Sequence, residues 1–279
     1  MSEDPVKKWT TIGRALMLGV AMTGPAAMGQ DDAPAQPAQA TEQAELPSAE
    51  SLFERHIEAI GGKDKVFAIK TRRFTSTLKI YQGSDEKPVR TGILRVTAKA
   101  PDSLIQEIIY PGVSTTTKYF DGKAGWTVEQ GQPAAAMSPD ELERFAVGAR
   151  FYADADYKNQ YKTYTTVNSQ DVNGDTIYIV EVEYFSGRKG AVVFSKSSGL
   201  IVGAAGVRDL NGQPIEFRRS YEDYTDFGSG VLTAKTIREV VGGAMIEIIS
   251  NTIETGIEFP AIERPEGIED VDLSKFRKE

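Results

Sequence analysis

Residues Thr71–Glu129 read TRRFTSTLKIYQGSDEKPVRTGILRVTAKAPDSLIQEIIYPGVSTTTKYFDGKAGWTVE, and their period is two. Phe74, Leu78 and Ile80 alternate with Arg73, Thr75, Thr77 and Lys79; Leu94, Val96 and Ala98 alternate with Arg95, Thr97 and Lys99. Such alternation is the mark of a half-buried strand. Turn chemistry separates the runs: Gly83-Ser84-Asp85, Pro101-Asp102, Pro111-Gly112 and Asp121-Gly122. The pattern resumes after residue 173. Asn173-Gly174 precedes 176–184, Gly187–Gly190 precedes 191–195, and Ser197-Ser198-Gly199 precedes 200–207. Asn211-Gly212 precedes 214–224, Gly228–Gly230 precedes 231–240, and Gly242-Gly243 precedes 244–255. About eleven short strands joined by tight turns predict one large antiparallel sheet, and a sheet so wide has to curl.

Helices flank and interrupt it. Ser48 is an expected N-cap, after which Leu52, Phe53, His56, Ile57 and Ile60 recur at helical spacing until Gly61-Gly62. A short turn over 63–69 places Val66 and Ile69 on one side. Ser138-Pro139-Asp140-Glu141 is a strong start signal, with Ser as cap, Pro at the first helical position and Glu as the second half of a capping box. Leu142, Phe145, Ala146 and Ala149 then form an apolar stripe ending at Phe151 and Tyr152. A lone helix within a β meander is expected to cover one face of the curled sheet. The fold class is therefore mainly β with helices (α+β).

The first 47 residues are of another kind. Lys7, Lys8 and Arg14 precede the small, apolar run Ala15–Ala27, and Ala27-Met28-Gly29 offers small residues for cleavage before Gln30. That order is a secretory signal over 1–29. The run is broken by Gly24-Pro25 and falls short of the about 20 apolar residues of a spanning helix. Residues 30–47, rich in Ala, Gln, Pro, Asp and Glu, predict a disordered leader. One folded domain is expected over 48–279, in a soluble, periplasmic or otherwise exported monomer. The chain has no cysteine, so it has neither a disulfide framework nor a lipid-modified Cys. The net charge is −8, and an acidic chain has no electrostatic footprint for nucleic acid.

Several segments, in order, resemble a known family. LFERHIEAIGGKDKVFAIKT at 52–71 is followed by GILRVTAKAPDS at 92–103 and YFDGKAGWTV at 119–128. VNGDTIYIVEV at 172–182, FSKSSGLIVG at 194–203 and YEDYTDFGSGVLTAKTI at 221–237 complete the set. Their order and spacing resemble the bacterial outer-membrane lipoprotein-sorting proteins of LolA/LolB-like type, over most of Leu52–Phe276. The resemblance implies a strongly curved antiparallel half-barrel whose concave apolar face is lidded by helices and holds acyl chains of a lipid or lipoprotein. A different role for the same half-barrel is an envelope sensor or scaffold that binds a protein or lipoprotein partner.

Catalytic and metal chemistry find little footing. His56 is the sole histidine, without a Ser, Cys or Asp at a motif spacing, and reads as a packing or capping residue. No zinc site can be built from one His and no Cys. Asp171-Val172-Asn173-Gly174-Asp175 starts like a calcium loop, but its twelfth position is Val182 rather than a bidentate Glu; an Asn-Gly hairpin accounts for it. Asp154 and Asp156 read as solvated loop carboxylates. No nucleophile elbow, phosphate loop or dinucleotide fingerprint is present, so the expectation is a binding protein without catalysis, cofactor or metal. The residues singled out are Trp126, Leu142, Phe145, Phe151 and Tyr152. In a closed fold they are core; in an open half-barrel they line an acyl cavity with mostly apolar walls.

Overall fold

The structure is a computed structural model and describes residues 45–153, 155–210 and 213–275. The expected signal and nearly all of the leader lie outside the described residues, as do Asp154 and the Asn211-Gly212 turn. Helices α1 (Ala49–Ala59) and α2 (Lys63–Ala68) precede β1 (Thr71–Gln82), β2 (Arg90–Lys99), β3 (Ser103–Tyr110), β4 (Ser114–Phe120), β5 (Gly125–Glu129) and β6 (Ala135–Ala136). Helices α3 (Pro139–Ala149) and α4 (Tyr157–Gln160) follow. Next come β7 (Tyr161–Val172), β8 (Asp175–Tyr184), β9 (Lys189–Ser195), β10 (Ile201–Leu210), β11 (Gln213–Asp226), β12 (Leu232–Val241) and β13 (Ala244–Thr255).

All thirteen strands form one sheet in the order β6-β5-β4-β3-β2-β1-β13-β12-β11-β10-β9-β8-β7, curved and unclosed. The chain starts at the middle and works outward to β6. It crosses to the opposite edge through α3 and α4, then works back until β13 pairs β1. The strand count corrects the expected eleven. β6 is two alanines, too short to show a period. β7 reads YKTYTTVNSQDV; its positions alternate exposed and half-buried over 163–171, but the half-buried ones are Tyr164, Thr166, Asn168 and Gln170, so the sequence shows no apolar period.

Directly opposed residues of an antiparallel pair point to the same face, so register assigns the faces. The row Val180–Val192–Ala204–Arg219–Glu239–Ile246–Ile80 crosses seven strands by direct pairing. Val180 and Val192 pack beneath Leu52, Phe53 and Ile57 of α1, which makes this the inner, helix-bearing face. Phe74, on the same face of β1 as Ser76 and Leu78, opposes Val96, and Val96 packs against the core beneath α3.

Two cores result. α1, with Tyr157 and Tyr161, covers the flank formed by β8–β10, where Phe53 stacks on Tyr157 at 4.4 Å. α3 covers the other flank through Leu142, Ala146 and Ala149 on Ala98, Leu104 and Phe120. No described residue of β1, β12 or β13 belongs to either cluster. The helices thus lid the flanks of the inner face; at its centre Ser76 and Leu78 of β1 are buried, while Ile80 and Ile246 are half-buried. After β13 the chain straps back, Arg264 pairing with Asp121 at 2.7 Å and Val271 N–H donating to Lys123 O.

The helix termini follow their local chemistry. Ser48 Oγ accepts from Ser51 N–H and Ser138 Oγ from Glu141 N–H. The Glu141 carboxylate reaches Lys118 Nζ of β4 at 2.6 Å, which ties α3 to the sheet. Gly61 takes φ +129°, and a Cβ there would lie 2.5 Å from Gly230 O. Glycine is required both for the turn and for the close approach.

Candidate functional site

Four of the five residues singled out from the sequence come together. Leu142 and Phe151 are buried in the α3 core, with Phe145 and Tyr152 half-buried against it. Phe151 carries the Arg72 guanidinium over its ring at 4.4 Å. The Tyr152 hydroxyl donates to Ile69 O at 2.8 Å, and its ring meets Phe67 at 4.7 Å. This cluster plugs the junction of α2, β1 and the crossover.

Trp126 is not part of that cluster. Gly125 opposes Phe120, and a Cβ on Gly125 would lie 2.6 Å from Leu142 Cδ1, so Gly125 faces α3 and its neighbour Trp126 faces the other way. Trp126 is 1% exposed and stacks on Tyr119 at 5.4 Å on the outer face. Nearby on that face is a cavity of about 510 Å3 between β1–β4 and Pro260-Ala261. Its arginines are each matched by a glutamate, Arg73 with Glu254 at 3.7 Å and Arg95 with Glu107 at 3.1 Å, so it carries no net charge.

The centre of the inner face is different. Tyr221, Ile237, Ile248 and Leu78 form one directly opposed row, bounded by Tyr221 against the α1 core and by the buried Leu78, and Phe217, Val241 and Ala244 form another. Ile80, Leu94, Ile108, Ile237, Ile246 and Phe217 are only half-buried. Contiguous half-exposed aliphatic side chains on the inside of a curved sheet make an apolar trough. Gly206 opposes Phe217, and a Cβ there would meet the Phe217 ring at 3.0 Å, so this glycine lets the ring lie flat on the wall.

Between the two apolar rows lies an ion cluster. Arg219 Nε and Nη2 reach Glu239 Oε2 at 3.0 and 2.5 Å, and Arg208 Nη2 reaches the same oxygen at 2.9 Å. Arg219 Nη1 also meets the Tyr221 hydroxyl at 3.5 Å, and Arg208 stacks over Phe217 at 4.4 Å. Burial alone would raise the Glu239 carboxyl, but Arg219 and Arg208 outweigh it and hold it below the usual carboxylate range. No motif or spacing in the sequence marks these residues. The signal was a broken alternation: Arg219 interrupts the inward set Ile215, Phe217, Tyr221, and Glu239 interrupts Ile237, Val241.

The remaining polar candidates are structural. His56 is 2% exposed, and its Nδ1 accepts from Ile201 N–H at 3.1 Å, fixing α1 to β10. Asp171 accepts from the Thr176 hydroxyl, while Asn173 and Gly174 take φ +52° and +83°, a hairpin turn. Asp156 pairs with Arg150 at 3.3 Å. Among the described residues no three His, Cys, Asp or Glu side chains could hold a metal together, and no helix is long and apolar enough to cross a membrane.

The same architecture occurs in solved structures. A LolA superfamily protein from Nitrosomonas europaea superposes with a TM-score of 0.55, covering 77% of this chain and 96% of its own at 13% identity. The fold is LolA-like. A DUF1329 family protein from Desulfovibrio piger matches at a TM-score of 0.54 and 13% identity, over 76% of this chain and 94% of its own. A domain named for outer membrane lipoprotein sorting, from Vibrio parahaemolyticus, matches at 0.51 and 13%, over 75% and 95%. No family profile matches the chain, and no curated protein matches it in sequence. At this identity the LolA-like likeness is one of fold, and it agrees with the resemblance read from the sequence.

Proposed function

We propose that this chain is a non-catalytic binding protein that shields acyl chains of a lipid or lipoprotein within its LolA-like half-barrel. The observation that carries this reading is the half-exposed apolar trough between the two helix-capped cores. A soluble fold gains nothing by leaving such a surface open to water, and an acyl chain placed there would bury about 0.8 kcal/mol per methylene. Phe145, half-buried at the margin of the α3 core beside Leu142, Phe151 and Tyr152, is the helix residue proposed to touch the acyl chain. The secretory signal read over 1–29 would deliver the protein to the periplasm or beyond, where acyl chains in transit need shielding.

The test is displacement of a fluorescent fatty acid from delipidated protein. Micromolar displacement by long-chain amphiphiles is expected. Phe145→Ala should remain folded by circular dichroism yet bind several-fold more weakly. A delipidated wild type that binds no acyl probe at micromolar concentration would overturn the reading in favour of a scaffold that docks a protein partner.

A further inference from the structure

The ion cluster of β10–β12 is oddly placed. Its rows on both sides are apolar, and ion pairs inside apolar surroundings are commonly no better for stability than well-packed hydrophobic residues. Its composition is also unbalanced, with two guanidiniums sharing one carboxylate oxygen. The vertical order matters most. The Glu239 side chain is 8% exposed, whereas Arg208 is 23% and Arg219 37% exposed. The carboxylate is thus the most deeply buried member of the cluster, and the two guanidiniums exceed it by one positive charge. The outer-face cavity, where each arginine has its own glutamate, has no such surplus.

We infer that Arg208 and Arg219 form a head-group subsite that selects an anionic amphiphile, its carboxylate or phosphate meeting the two guanidiniums while its acyl chain lies along the apolar rows of β1, β12 and β13. This rests on the acyl-binding reading above and adds the polarity and placement of the ligand's head. Guanidiniums match carboxylate and phosphate geometry and do so with two donors in one plane. Glu239 is the positioning residue: it holds both guanidiniums side by side and lowers their net charge by one. Arg208 is steadied further by the Phe217 ring.

The experiment compares ligands of one chain length, each below its micelle concentration: dodecanoate, dodecyl phosphate and uncharged 1-dodecanol, read by displacement of a neutral fluorescent acyl probe. Both anionic ligands should displace it at least about tenfold more effectively than dodecanol, since a charged hydrogen bond is worth about a factor of ten or more. In Arg208→Met that ratio should fall towards one. In Glu239→Gln, which removes the internal competitor, the ratio should rise; a merely structural cluster would lose stability without gaining anion preference. Equal displacement by all three ligands in the wild type overturns the inference and leaves acyl binding standing, whereas displacement by none overturns acyl binding itself. An unchanged ratio in folded Arg208→Met also overturns it, as does displacement by inorganic phosphate alone at the same concentration.

Discussion

Arg188 in the β8–β9 turn sets its Nε 2.6 Å from Glu143 Oε1 on α3, joining parts of the chain that the sheet keeps farthest apart. α3 follows β6 at one edge, while β8 is next to the other edge. The two contacting atoms are closed off from solvent, and Arg188 also lies over the Tyr184 ring at 5.6 Å. This ion pair therefore ties α3, which follows one edge of the sheet, to the β8–β9 turn near the other.

Breaking that bridge should loosen α3 without unfolding the sheet. Glu143→Gln leaves a shielded guanidinium without its counter-charge, at a cost between those of exposed and buried pairs, about 1–3 kcal/mol. Amide exchange in α3 should accelerate while the central strands stay protected. The double variant with Arg188→Gln should cost less than the sum of the single changes. Strictly additive costs would show that the two side chains are not coupled.

Local chemistry was the legible part of this fold. Ser138-Pro139 announced α3 because a cap and an N1 proline act within one turn, and Asn173-Gly174 announced its hairpin for the same reason. The central pairing of β1 with β13 has no local signature, since Phe74 and Ile253 meet across most of the folded chain. β7 was illegible because Tyr164, Thr166, Asn168 and Gln170 fill its half-buried positions, so burial alternates along the strand while hydropathy does not. Grouping Trp126 with the helix cluster ignored strand parity: with Phe120 and Gly125 facing α3, the next residue had to face outward. The ion cluster was visible only as two interruptions of apolar alternation, and register was needed to bring Arg219 opposite Glu239.

The cap of α3 gives a graded test. Ser138→Ala removes the acceptor of the Glu141 N–H and should lower stability by about 1 kcal/mol. Phe145→Pro, in mid-helix, removes a backbone donor and clashes with the preceding turn, so it should cost about 3 kcal/mol or more. Urea midpoints rank the two. Equal, negligible shifts would mean that α3 contributes nothing to the folded state.

His56 makes a narrower prediction. His56→Leu keeps a side chain of similar bulk on α1 but leaves the buried Ile201 N–H without its acceptor. Such an unsatisfied donor costs about 1–3 kcal/mol. Exchange of the Ile201 amide should rise more than that of its neighbours in β10. A variant with wild-type stability and unchanged exchange at Ile201 would rule out the anchoring role.

The acid limb of stability is expected to report the carboxylates of the central strands. For Glu239, burial pushes its pKa up, but Arg219 and Arg208 bring the net value down. For Glu247 on the outer face, burial is likewise outweighed, by Lys79 and Arg238 at 3.0 and 2.8 Å. Groups whose folded pKa is depressed stabilise fully above the unfolded glutamate value of about 4.3 and lose that contribution as pH falls through the lower folded value. Urea midpoints should therefore be nearly flat from about pH 6 to 5 and drop below about pH 4.3. Glu247→Gln removes one titrating group without touching the trough, so its midpoint should fall less steeply over the acid range than that of the wild type. Parallel acid limbs for the two proteins would show that the Lys79–Glu247–Arg238 contacts do not shift the carboxyl in solution.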